Sequence, residues 1–271
     1  MVTGMNERRL KAGNCSVISF ALSALVWAAL PNAVAAERTM MNAGMATSMR
    51  NAFPPAERTL QVETVFRSED IEGADSLYRL EPQLLWGIIP QGFIAVGTSL
   101  AFANREAEDS GNVNVQALYN FASEGRRLPA AALMFGTDLP TGSDANRWGV
   151  HAMVILTKRI RKAEISFNAE IGKNAFQGAD GRDFIYRLGL GADYPLDFLP
   201  VPAGGSALLR TAIILEQQED RRASPVWQWE GGVFFPLDAA AAVAIGAHFA
   251  LAREQPGFEL FLGYQQMFQG W

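Results

Sequence analysis

The chain predicts an all-β protein, an antiparallel transmembrane β-barrel of about twelve strands. Three observations carry that reading. From Thr59 onward apolar and polar residues alternate with a period of two, the signature of strands with one greasy and one polar face. No apolar run after residue 30 reaches the roughly 20 residues a membrane helix needs. The connections between alternating segments switch between turn-like and longer polar stretches, as in barrels of the bacterial outer membrane.

Residues 1–36 read as a secretory signal peptide. Asn6-Glu7-Arg8-Arg9-Leu10-Lys11 is a basic start, Ser16 to Leu30 is uncharged and mostly apolar, and Ala33-Val34-Ala35-Ala36 is a small-residue cleavage site. Cys15 precedes the apolar stretch rather than ending it, which argues against a lipoprotein signal. Removal of Arg8, Arg9, Lys11 and Glu7 moves the formal charge from -5 to -7 and leaves a mature chain without cysteine. Residues 37–58 are rich in Met, Ala and Asn, carry Pro54-Pro55 and have no clean period, and read as a flexible N-terminal extension or a plug. Residues 59–271 are the predicted barrel.

The cleanest strands set the faces. Leu60, Val62, Thr64 and Phe66 oppose Gln61, Glu63, Val65 and Arg67; Tyr78 and Trp86 oppose Arg79, Glu81 and Leu85. Tyr119 and Phe121 oppose Leu118 and Asn120, and Phe167 and Ile171 oppose Glu164, Ser166, Asn168 and Glu170. Over 184–194, Phe184, Tyr186, Leu188, Leu190 and Tyr194 oppose Ile185, Arg187, Gly189, Gly191 and Asp193. Trp227 and Phe235 oppose Glu230 and Phe234, and Ile245 and Phe249 oppose Gly246 and His248. Less regular strands are expected over 93–103, 130–137, 148–157, 207–217 and 258–268. Lys158 to Lys162 reads as a turn, and 195–206, with Pro195, Pro200 and Pro202, as a long connection.

A soluble periplasmic sandwich or lipocalin-like barrel also alternates, but packs its greasy face inward. Here that face carries Trp86, Trp148, Trp227, Trp229, Tyr78, Tyr119 and Tyr194, mostly near strand ends, which suits the interfacial girdles of a membrane barrel. The opposite face mixes Gly and Ala with charged and amide side chains, and is expected to line a lumen. Its predicted lining comprises Glu63, Arg67, Arg79, Glu81, His151, Glu164, Glu170, Arg187, Asp193, Arg210, Glu216, Glu230, His248 and Glu259. The excess of carboxylates predicts a cation preference if the lumen is open; a salt-bridged network filling a narrow barrel is the competing reading. Gly97, Ser99, Ala101, Gly189, Gly191, Ala244 and Gly246 favour open volume.

Several motifs together resemble the bacterial outer-membrane family named for the MetA pathway of phenol degradation. They are Val62-Glu63-Thr64, Glu81-Pro82-Gln83-Leu84-Leu85-Trp86-Gly87-Ile88, Leu139-Pro140-Thr141-Gly142 and Gly189-Leu190-Gly191-Ala192-Asp193-Tyr194-Pro195-Leu196, in that order over 59–271. The resemblance implies an even-stranded, transporter-like barrel that passes small molecules, aromatic ones among them. The chain departs from barrel habit at its end, where Trp271 falls out of phase with Tyr264 and Phe268.

Other chemistries are poorly supported. Formal charge -5 and pI near 5.2 argue against nucleic-acid binding. His151 and Ser166 lack the nucleophile-base-orienter arrangement and the motifs of barrel lipases. Two separated histidines do not make a zinc site, and Asp138 to Asp144 lacks the spacing of a calcium loop. The expected role is therefore an outer-membrane channel for passive passage of small molecules, without cofactor, metal or catalytic residues. Its expected partners are outer-membrane lipid, the barrel-assembly machinery and small solutes. A closed structural or adhesion barrel is the alternative, and a membrane-embedded lipid hydrolase comes third.

Overall fold

A computed structural model describes residues 47–70, 77–102, 111–142, 148–175, 184–201, 206–217, 224–251 and 257–270. The predicted signal peptide, residues 37–46 and Trp271 lie outside them. The described residues form an all-strand, closed antiparallel barrel of twelve strands without helices.

Thirteen strand segments build the barrel. They are β1 (Thr59–Asp70), β2 (Leu77–Ile89), β3 (Gly92–Thr98), β4 (Leu100–Phe102), β5 (Val113–Ala122), β6 (Ala130–Leu139), β7 (Trp148–Ile160), β8 (Ala163–Ala175), β9 (Phe184–Pro200), β10 (Ser206–Glu216), β11 (Val226–Pro236), β12 (Ala241–Ala250) and β13 (Phe258–Gln269). Segments β3 and β4 both pair with β2, at Gln83–Ile89 and at Tyr78–Leu80, so they are halves of one strand interrupted at Ser99. Closure comes from β1, which pairs with β13 from Thr59↔Gln269 to Asp70↔Phe258 and with β2 from Leu60↔Trp86 to Glu69↔Leu77. A closed ladder leaves no sheet edge, which is what allows strands to sit in hydrocarbon.

The side-chain faces follow the predicted phase. On β9, Leu188 and Leu190 are exposed while Gly189 and Gly191 are buried; Leu190 is 58% exposed. Trp86, Tyr119, Phe135, Phe167, Ile213 and Ile245 are likewise exposed, and Leu85, Leu118, Met134, Asn168, Ala212 and Ala244 are buried. This surface is inside-out relative to a soluble barrel. Tyr78 and Trp86, eight residues apart on β2, stand about 26 Å apart along the strand. A tilt of about 40° lowers that to roughly 20 Å, close to the apolar band of an outer-membrane barrel. Trp229, Phe249 and Phe258 pack as a row of tilted rings on the outer face, with successive centroids 5.5 and 4.9 Å apart.

Two connections differ from expectation. Strand β7 runs on to Ile160, and only Arg161 and Lys162 turn the chain, with Arg161 in the left-handed region at φ 58°. Alternation simply continues through the basic residues. Strand β9 likewise extends to Pro200: Pro195 pairs with Leu208, and a register shift before Ala207 absorbs the prolines. The connection is thus 201–205 rather than 195–206.

At the short-turn end the interior is apolar. Val65, Leu208, Phe234, Ala242, Ala244, Phe261 and Met267 form one cluster, and Leu85, Phe93, Ala95, Leu118, Met134, Met153 and Ile155 belong to a second. Ala52 and Phe53, which precede β1, pack into the second cluster.

Candidate functional site: the lumen and the segment inside it

The long-loop half of the lumen is a cavity of about 520 Å³. Strand alternation aims Glu63, Val65 and Arg67 of β1, Glu81 and Gln83 of β2, Asn114 and Gln116 of β5, His151 and Met153 of β7, Glu170 of β8 and Arg187 of β9 into it. Ser48 and Arg50 also line it. Six of the predicted lumen residues therefore meet here: Glu63, Arg67, Glu81, His151, Glu170 and Arg187.

Charge in this half is mostly paired. The Arg67 guanidinium donates from Nε to Glu81 at 2.8 Å and from Nη1 to Glu259 at 2.5 Å, and it lies over the Phe261 ring. Arg187 bonds the Ser48 hydroxyl, donates to Glu230 at 3.4 Å, and has Glu216 at 3.9 Å. Arg79 and Glu69 approach to 3.7 Å nearer the loops. His151 Nδ1 stands 3.9 Å from Asp138, and its imidazole fills the space beside Gly136. His248 Nδ1 stands 3.9 Å from Glu259. Glu170, opposite Arg187 in the ladder, makes no ion pair or hydrogen bond among the described residues.

Glu164, Asp193, Arg210 and Glu230 do not face this cavity freely. Glu164 accepts from Arg159 Nε at 3.0 Å, and Arg210 donates to Asp193 at 3.0 Å while lying over the Phe234 ring. Glu164 and Glu230 instead meet the segment that precedes β1. Ser48 donates its backbone N–H to Glu230 at 2.5 Å and its hydroxyl at 2.8 Å. Arg50 donates to Gln83 at 3.3 Å, and Asn51 donates its amide to Glu164 at 3.0 Å. The Ala52 N–H donates to the Thr157 hydroxyl at 2.9 Å, and its carbonyl accepts from Asn120 at 2.5 Å. Phe53 stacks under the Arg159 guanidinium at 4.5 Å. Arg58, with φ 59°, turns the segment into β1 as its N–H donates to the Gly87 carbonyl at 2.8 Å.

The expectation that Gly189, Gly191 and Gly246 mark open volume is therefore corrected. Met49 occupies the space beside Gly189 and Gly191, and the Phe261 ring occupies that beside Gly246. Ala244 belongs to an apolar cluster. Gly97 and Ser99 do line the cavity. Sequence reasoning missed Ser48, Arg50 and Asn51, because a segment without period gives no face to assign; their polarity shortly before Pro54-Pro55 was the only signal.

The serine and histidine weighed for lipid hydrolysis do not meet. The Ser166 hydroxyl pairs with Thr157 at 3.0 Å, six residues and about 20 Å along β7 from His151. Among the described residues no cluster of His, Cys, Asp or Glu could hold a metal ion.

A closed barrel greasy outside, with a polar, charge-paired cavity inside, has the build of an outer-membrane-type β-barrel. Solved structures agree at the level of fold. The COG4313 outer membrane channel from Pseudomonas putida F1 superposes with a TM-score of 0.54 at 16% identity, covering 79% of this chain and 96% of that one. The KdgM porin gives 0.52 at 9% identity over 76% and 99%, and the NanC porin 0.52 at 12% over 76% and 98%. No protein-family model matches the chain, and no curated protein matches it in sequence. The even-stranded barrel implied by the motif resemblance thus has its counterpart in these folds.

Proposed function

We propose that this protein is an outer-membrane channel through which small solutes pass passively. The observation that carries the reading is the polar cavity of about 520 Å³ within a barrel whose outer face suits lipid. Export by a cleaved signal at residues 1–36, insertion by the barrel-assembly machinery and a surround of outer-membrane lipid belong to the same reading. Small solutes are the partners, and aromatic compounds are the class the motif resemblance adds. The cavity-facing charges, with Glu170 outside any pair among the described residues, set a preference for cations. No step in this role needs a catalytic residue or cofactor.

One observation favours the second reading, a closed barrel acting through its loops: apolar clusters and the segment before β1 fill the short-turn half. Single-channel recording of refolded protein in planar bilayers decides between them. Discrete conductance steps support the channel. Silence from barrels that are folded by their gel shift on boiling, together with no solute flux into liposomes, gives the closed barrel its place.

A further inference from the structure

Resting on the channel reading, we infer that Ser48–Ala56 is a displaceable strap that blocks the passage, and that its withdrawal opens the barrel. Ser48 and Arg50 form part of the floor of the polar cavity. Below them Met49 packs on Ala212 and Ile214, and Ala52 joins the apolar cluster opposite. The cleft left between the strap and the β8–β10 wall is about 10 Å³, at the lower limit for one water molecule. A solute cannot pass on that side while the strap is seated.

The wall is shaped for this occupant. A Cβ at Gly189 or Gly191 would run into Met49, and one at Gly87 would strike the Ala56 carbonyl. Three glycines on two separate strands thus leave room for one segment, which a general easing of strand bending does not explain.

The strap is also built to leave. It contributes no strand to the ladder; side-chain bonds, the Ser48 N–H and the two backbone groups of Ala52 are among the contacts that hold it. Withdrawal breaks those contacts without unzipping any strand pair, whereas opening the wall would break a ladder closed all the way round. The left-handed turn at Arg58 is where the strap joins the wall and would pivot. Once it leaves, the passage lies between the two apolar clusters, with Glu164 and Glu230 released from Asn51 and Ser48.

The test uses the full mature chain in bilayers and liposomes, with potassium chloride and a neutral sugar as probes. Gly87→Ala pushes on the strap where it meets the rim. It should raise open probability or sugar flux several-fold over wild type. An Ala52→Cys, Thr157→Cys pair, in a mature chain that has no other cysteine, ties the strap to β7. Oxidised, it should conduct at a tenth of wild type or less, and reductant should restore it. Wild-type conductance from the oxidised, cross-linked protein overturns the strap while leaving the channel intact. Silence from wild type, Gly87→Ala and the reduced pair alike, all folded by gel shift, overturns the channel reading and the strap with it. If Gly87→Ala does not fold, the cross-linked pair alone decides.

Discussion

Asn51, in the segment before β1, donates its side-chain amide to Glu164 of β8 at 3.0 Å, joining residues 113 positions apart inside the barrel. Both side chains are buried, Asn51 at 8% and Glu164 at 6% exposure. Glu164 is shared between this amide and the Arg159 guanidinium. The carboxylate therefore couples the segment to the β7–β8 hairpin.

Asn51→Ala is expected to destabilise the seated segment by about 1–3 kcal/mol, the scale of a hydrogen bond to a buried charged group. Hydrogen exchange at the Ala52 amide should rise while the strand amides of β8 remain protected. Equal exchange at Ala52 in wild type and variant would show that the bond contributes nothing.

Leu190→Arg should cost about 2–4 kcal/mol if this exposed position lies at mid-bilayer. Folding titrations in lipid read that loss directly. Gly189→Ser, one residue away on the inner face, must displace the Met49 side chain and should loosen the segment rather than the barrel. A larger loss for Gly189→Ser than for Leu190→Arg would invert the face assignment.

Glu170→Gln should reduce cation preference with little change in stability, because Glu170 faces the cavity without an ion-pair partner among the described residues. Arg187→Gln leaves Glu216 and Glu230 short of a cation, and should raise cation preference while destabilising the barrel. Reversal potentials under a salt gradient measure both effects, which should shrink at high ionic strength.

Glu124, in the 123–129 connection, supplies a pH dependence. Burial pushes its carboxyl up, but the Arg159 N–H at 2.9 Å and Lys158 at 3.1 Å outweigh that and hold it below the usual range. Its contribution is complete above the ordinary carboxylate range and is lost as pH falls through the lowered value. Protease nicking of 123–129 should therefore increase on acidification in wild type and be insensitive to the same pH step in Glu124→Gln.

Edman sequencing of protein from outer-membrane fractions should begin at Ala36 or Glu37. A retained Met1 or Met5 in that fraction would remove the signal-peptide reading.

Much of the barrel was legible in the sequence, because a strand in lipid must alternate and a one-residue slip would turn every charge outward. Thus Leu190 against Gly189, and Trp86 against Leu85, could be assigned from local order alone. Strand ends were less legible: Lys158 and Arg159 stay in β7, and Pro195 stays in β9, because ladder partners rather than local composition decide where pairing stops. Which inward charges meet also lay beyond local order. Arg67 and Glu259 are 192 positions apart and become neighbours only when β1 closes on β13. The place of residues 47–58 was decided by tertiary structure alone. A segment without period exposes no preferred face, so its position is set by what the closed wall leaves free: grooves beside Gly87, Gly189 and Gly191, and bonding partners at Asn120, Thr157, Glu164 and Glu230 that come together only once twelve strands close.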